Sequence, residues 1–285
     1  MLSWQVGAVK VTRIVEMEMP IAYSEKQPFL AEATPAALRE TPWLYPHFVN
    51  EQDEMLLSIH ALLVETPTMR LVVDTCIGND KARGMLRGQA LSTPFLDHLQ
   101  GAGWSRESVD AVVCTHLHVD HVGWNTMLED GRWVPTFPNA RYLIGRRELE
   151  HWSSVEEGEQ PQILADSVQP IMDAGLAELV DMDYRVSPEI RLIPSAGHTP
   201  GHVCVVIESK GERAVITGDM THHPCQLAHP DWSPPFDSDP KAATEVRAHL
   251  FGQWADEDIL VIGTHYATPT AGRVRRDGEA FRFDV

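Results

Sequence analysis

Residues 112–124 read VVCTHLHVDHVGW, which puts His116, His118, Asp120 and His121 directly after an apolar run. Imidazole and carboxylate are side chains that bind zinc, iron, manganese and cobalt. A bound divalent ion makes water a nucleophile at neutral pH. His116, His118 and Asp120 are spaced i, i+2, i+4, and alternate side chains of an extended segment share one face. His121 points elsewhere and can serve a second ion. Such a stretch is either a polar surface loop or part of a metal centre, so the other strand ends must decide. SAGHTPGH supplies His198, VITGDMTHH supplies Asp219 and VIGTHY supplies His265. Each cluster repeats one design: an apolar strand, then Gly or Thr, then a metal-binding side chain.

The elements that must position these residues follow from the hydrophobic patterning. Residues 5–17 and 55–75 read as strands, the second as a hairpin turning near ETPTMR. VDAVVCT and ARYLIG are short strands, and IRLIPS, HVCVVIES, RAVITGD and DILVIGTH are four more. TPFLDHLQGAGW predicts a helix with Thr93 as its N-cap, Pro94 at its first position and a glycine stop. Helices are also expected near TPAALRE, from about Arg147, over DSVQPIMDAG, and over DPKAATEVRAHLFGQW behind Asp239 and Pro240. Strands and helices mix in both halves, so the fold class is a layered α/β or α+β domain. The ligand clusters fall where strands end, which is where sites on open sheets lie. No repeat or linker divides the chain, and residues 1–285 are expected to form a single domain. Residues 20–50, rich in Pro, Ala and Glu, are a candidate cap or dimerisation segment, which leaves room for a homodimer.

Lysine and arginine number 23 against 41 acidic residues, a formal charge of −18. Such a surface repels phosphate backbones and anionic membranes, which argues against nucleic acid or membrane partners. No apolar run approaches the ~20 residues a membrane helix needs. The first twenty residues lack a signal-peptide pattern, so the cytoplasm is the expected compartment. The four cysteines form no CxxC pair, and Cys114 and Cys204 lie in apolar runs expected to be core. Trp124, three positions after the metal motif, is expected to lie near the substrate pocket.

The motif HxHxDH formed by His116, His118, Asp120 and His121, with the later His198, Asp219 and His265, resembles the metallo-β-lactamase superfamily over about residues 55–270. VVDTC, with Asp74, resembles that superfamily's early strand-end aspartate. The resemblance implies a four-layer αβ/βα sandwich with a dinuclear site at one edge. It implies one divalent ion on His116, His118 and His198, another on Asp120, His121 and His265, and Asp219 bridging the two. Zinc is the expected metal, with manganese, iron and cobalt as alternatives. Asp74 is expected to orient a ligand or a loop rather than bind metal.

Two ions about 3.5–4 Å apart lower the pKa of water from about 15.7 to near 7 and polarise a carbonyl or phosphoryl oxygen. The resemblance therefore implies a hydrolase whose nucleophile is a metal-bound hydroxide, with Asp120 both ligand and proton acceptor. The branch it most resembles contains N-acyl homoserine lactonases and methyl parathion-type hydrolases. Where those lactonases carry a tyrosine three positions after the bridging aspartate, this chain has His222, a candidate hydrogen-bond donor or proton shuttle. Cleavage of a lactone or carboxylic ester is the expected function, with a small-molecule substrate. The alternatives are hydrolysis of an aryl phosphotriester, hydrolytic dehalogenation, and mononuclear iron oxygenation of the persulfide dioxygenase type.

Overall fold

The apolar run before the histidine motif becomes the middle of a parallel sheet. In the computed structural model, which describes residues 1–285, strand Ala111–Cys114 lies between Arg70–Val73 and Arg141–Gly145, and both neighbours run parallel to it. All four of its residues are buried, as expected of a strand covered on both faces. Each fully buried valine or isoleucine here contributes about 1.5–3 kcal/mol of transfer free energy. The whole sheet has seven strands, in the order Ser3–Val6, Val9–Ile21, Met55–Glu65, Arg70–Val73, Ala111–Cys114, Arg141–Gly145, Ala177–Val180. The register pairs Val73 with Val113, so Asp74 and the Thr115–His116 segment leave the sheet side by side. Carboxyl ends of adjacent parallel strands are where open sheets build sites.

The chain forms two compact units, Met1–Glu16 with Ile59–Tyr184, and Met17–Ser58 with Arg185–Val285. The second holds a six-stranded sheet in the order Ile190–Pro194, Val203–Ser209, Glu212–Ile216, Leu260–Ile262, Ala271–Asp277, Ala280–Asp284. Its pairings are antiparallel except for Glu212–Ile216 with Leu260–Ile262. Helix Pro240–Glu257 makes the crossover between those two parallel strands. It starts as its sequence predicts, with the Asp239 side chain accepting from the Ala242 N–H and proline in the first turn. It buries Ala243, Arg247, Leu250, Phe251 and Trp254, one stripe of helical spacing. Beyond the parallel pair come Asp219 and His265, so the second unit repeats the strand-end arrangement of the first.

Residues 20–50 are built into the second unit. Leu30, Ala33, Leu38, Leu44 and Phe48 are buried in a core shared with Phe251, Trp254, Tyr266 and Phe283.

Several boundaries differ from expectation. The helix expected behind Thr93 begins at Phe95 with Pro94 in the N-cap position, and Thr93 is held instead by Asn79, to which its hydroxyl donates. DSVQPIMDAG covers the end of one helix, Gln160–Ser167, and a second, Gln169–Asp173, with the break at Val168, ahead of Pro170. The hairpin Ala271–Asp277/Ala280–Asp284 had no forecast. Its arginines read as a solvated face, yet Val274, Phe281 and Phe283 alternate with them and are buried.

Candidate metal centre

In the first unit, the segment after Cys114 carries His116, His118, Asp120 and His121. His116 Nε2 and His118 Nδ1 lie 3.0 Å apart. Two nitrogens bound to one tetrahedral ion at ~2.0–2.1 Å would be about 3.3 Å apart, so the pair is already spaced as ligands. His121 Nε2 lies 3.6 Å from Asp120 Oδ1. On its other side, His121 Nδ1 is 2.9 Å from Asp74 Oδ2. A carboxylate can only accept there, so the ring proton is on Nδ1 and the Nε2 lone pair turns toward Asp120. Asp74 also accepts from the Thr115 N–H and the Thr115 hydroxyl, both at 2.8 Å. Asp74 is 1% exposed and sits in the left-handed region at φ 56°, which aspartate tolerates well among non-glycine residues.

The second unit uses the same device twice. His198 Nδ1 donates to Asp237 Oδ1 at 2.8 Å, and His265 Nδ1 donates to the Ser58 carbonyl at 3.0 Å. A neutral ring with its proton on Nδ1 keeps the Nε2 lone pair free for a cation, and both Nε2 atoms face the Asp219 carboxylate, at 3.6 Å for His198 and 3.1 Å for His265. Histidines that donate one ring N–H to a carboxylate or carbonyl and offer the other nitrogen are the usual metal ligands. The residues fit divalent ions on this ground.

His222 Nε2 also approaches Asp219, at 3.2 Å from Oδ2. Neither ring nitrogen of His222 makes a hydrogen bond, although the residue is 1% exposed. Its ring is parallel to His265 at 5.9 Å and is met edge-on by Phe236 at 5.3 Å and Phe29 at 5.8 Å. Phe236 also meets the His198 ring and remains 42% exposed.

Two features hold the Asp219 and His198 loops. The Asp219 N–H donates to His202 Nε2 at 2.8 Å, and His202 Nδ1 bonds Ser195 Oγ at 2.7 Å. Gly197 has φ +148°, and a Cβ there would meet Ala243 N at 2.4 Å, so only glycine lets this loop lie against the helix start. His223, beside His222, is a bolt of another kind. Its Nε2–H donates to the Phe48 carbonyl at 2.8 Å and its Nδ1 accepts from the Cys225 N–H at 3.1 Å. Burial pushes its pKa down to about 4, against an upward pull from the Phe48 carbonyl.

All ten residues singled out from the sequence are buried or half-buried. The first unit brings His116 to His118, and Asp74 to His121; the second gathers His198, His222 and His265 around Asp219. Trp124, expected near the substrate pocket, has its ring contacts within the first unit. It stacks on Phe95 at 4.9 Å and its indole N–H donates to Glu16 at 2.7 Å, so its contacts are with the loop scaffold. Asp237, His202 and Glu16 escaped the sequence reading. His202 had a visible signal, four residues after His198 in the same loop, while Asp237 and Glu16 had none.

Comparison with known proteins identifies the family. A family model described as the metallo-beta-lactamase superfamily matches residues 55–265. An N-acyl homoserine lactonase from a Bacillus species is 25% identical over 172 residues, 56% of this chain and 62% of that protein. A probable metallo-hydrolase from Mycobacterium tuberculosis is 26% identical over 180 residues, 59% of this chain and 58% of that protein. The matched stretch thus spans under two thirds of the length of these relatives. Among solved structures, a hydrolase in the beta lactamase superfamily superposes with TM-score 0.79 at 23% identity, covering 99% of this chain and 96% of that one. A dizinc quorum-quenching lactonase, solved with its N-hexanoyl-homoserine product, gives TM-score 0.78 at 21% identity, covering 99% and 96%. At these identities the superpositions show the fold, and the fold class expected from the sequence is the one found.

Proposed function

Because the chain belongs to the metallo-β-lactamase superfamily, we propose that it is a metal-dependent hydrolase that opens a lactone or cleaves a carboxylic ester. In this assignment His116, His118 and His198 would hold one divalent ion, Asp120, His121 and His265 would hold a second, and Asp219 would serve both. Zinc is the proposed metal, since imidazole and carboxylate donors suit it. The observation that carries the proposal is the locking of three imidazole tautomers. Asp74, Asp237 and the Ser58 carbonyl each take an Nδ1–H, so His121, His198 and His265 offer their Nε2 lone pairs.

Bound divalent ions supply Lewis acidity toward the substrate carbonyl and a water acidic enough to attack at neutral pH. The chain's own residues do the rest. Asp120 takes the proton of the attacking water at its carboxylate and delivers it to the leaving oxygen. His222 points an imidazole with no other hydrogen-bond partner toward Asp219, and its Nε2 would donate to a substrate oxygen. Phe29 and Phe236 stand against His222 and offer an apolar surface, which favours a neutral substrate with an apolar substituent. Aryl phosphotriesters are the second reading, favoured by an imidazole rather than a phenol at position 222.

The test pairs elemental analysis of the purified protein with hydrolysis of an acyl lactone, an aryl ester, an aryl phosphotriester and a thioester. Two ions per chain with lactone or ester turnover support the proposal. One iron per chain without hydrolysis refutes it and moves the protein to oxygenase chemistry. His116→Ala or Asp219→Ala is expected to abolish turnover and lower metal content in a folded chain. His222→Ala is expected to lower kcat with both ions retained.

A further inference from the structure

Glu16 lies on strand Val9–Ile21, about a hundred residues before the histidine motif, and its half-buried carboxylate is met by three N–H donors. Oε2 accepts from the Ile77 N–H at 2.8 Å, while Oε1 accepts from the Gly78 N–H at 3.2 Å and from the Trp124 indole N–H at 2.7 Å. The first two donors belong to the loop that begins with Asp74. The third belongs to the loop that follows His121.

These two loops are laced together. Thr75 N–H donates to the His121 carbonyl, Gly123 N–H to the Cys76 carbonyl and Trp124 N–H to the Thr75 carbonyl, each at 2.7 Å. The approach leaves no room for side chains: a Cβ on Gly123 would lie 1.8 Å from the Ile77 carbonyl oxygen, and one on Gly78 would lie 2.7 Å from Gly123. One end of the lacing is the Asp74–His121 bond, which fixes the imidazole tautomer. The other end is Glu16, which grips both loops with one carboxylate. Burying a carboxylate is costly unless its oxygens are satisfied, and three N–H donors satisfy this one. Burial holds its pKa above the usual value, opposed by the three hydrogen bonds, and the neighbouring Asp120 charge pushes it further up.

We propose that Glu16 is a positioning residue that sets the cation affinity of the Asp120–His121 pair, by clamping the Asp74 loop to the His121 loop. The inference rests on the two-ion assignment above. Neither Glu16 nor its direct partners offers a ligand atom, so the effect is on how well Asp120 and His121 are held, not on how many donors exist. The pair His116–His118 precedes the lacing and follows Thr115, which bonds Asp74 at the end away from Glu16.

The test is zinc competition against a chromophoric chelator, on the wild-type chain and on Glu16→Gln. Glutamine keeps the volume but sets an amide NH2 against one of the three N–H donors. The expected result is a folded variant in which one equivalent of zinc binds as in the wild type and the other binds about 10-fold more weakly, the low end for residues that support metal ligands. Amide hydrogen exchange in 74–78 and 121–124 is expected to quicken in the metal-free variant. Two equivalents with wild-type affinity, or an equal loss from both, overturns the role given to Glu16. A wild-type chain that takes up only one ion overturns the two-ion assignment itself, and this role with it.

Discussion

Asp74→Asn separates the shape of the centre from its chemistry. The asparagine oxygen can still accept from the Thr115 N–H, now at 2.8 Å, and asparagine tolerates the φ of 56°. The nitrogen replaces the oxygen that faces the Thr115 hydroxyl and His121 Nδ1. A hydroxyl can turn round and accept, but His121 must then accept at Nδ1 and carry its proton on Nε2. A protonated Nε2 cannot bind a cation. The expected result is a loss of about 10–100-fold in affinity for the ion His121 serves, equivalent to about 1.4–2.7 kcal/mol. Stability of the metal-free protein should fall by only about 1 kcal/mol, since one hydrogen bond is exchanged for another. Asp74→Ala is a different perturbation: three buried donors, the Thr115 N–H, the Thr115 hydroxyl and His121 Nδ1–H, lose their acceptor at about 1–3 kcal/mol each, and alanine pays about 1–2 kcal/mol at positive φ. That loss rivals the ~5–15 kcal/mol stability of an ordinary domain. Urea titration of the metal-free variants, chelator competition, and nitrogen-15 shifts of the His121 ring measure the three quantities. An Asp74→Asn protein with its proton still on Nδ1 and wild-type metal affinity would refute the reasoning.

Two further outcomes follow from the second unit. His223 is buried neutral with a pKa lowered from 6.5 to about 4, so the unfolded chain binds a proton that the folded chain does not between those values. Its contribution to stability is therefore present above about pH 6.5 and is lost as pH falls toward 4; in His223→Gln, urea midpoints measured from pH 4 to 7 should show a shallower acid decline. Phe236→Ala removes a side chain that is 42% exposed, so thermal stability should change little. Its kcat/KM for long-chain or aryl esters should drop about 10-fold relative to acetate esters, and an equal drop for both would show that Phe236 does not contact the substituent.

Much of the candidate centre is local in sequence, and that part was legible. His116, His118, Asp219 and His265 each follow an apolar run by a few residues, so strand periodicity and residue type locate them without tertiary information. What fixes their chemistry is not local. Asp237 reaches His198 from 39 residues away, and the Ser58 carbonyl reaches His265 from 207 residues away. A carbonyl acceptor leaves no signature, because every residue has one. Glu16 sits in a strand with alternating polar positions, where a glutamate reads as solvent-facing until its 61-residue reach to Ile77 is known. Trp124 illustrates the converse: proximity in sequence to the metal motif located its backbone, while Phe95 and Glu16 decided where its ring went.

The core of the second unit has a consequence for the order of synthesis. Phe48 packs against Phe283 at 5.9 Å, and Leu30, Leu38 and Leu44 belong to the same core. Those early side chains leave the ribosome long before their partners exist. At about 5–20 residues per second, Phe48 waits roughly 10–50 s for Phe283. During that interval the intervening stretch can fold into the first unit while an apolar arm trails unburied behind it. A chain stalled before the final hairpin therefore presents Phe48 without its Phe283 partner, and exposed apolar surface of that kind favours aggregation.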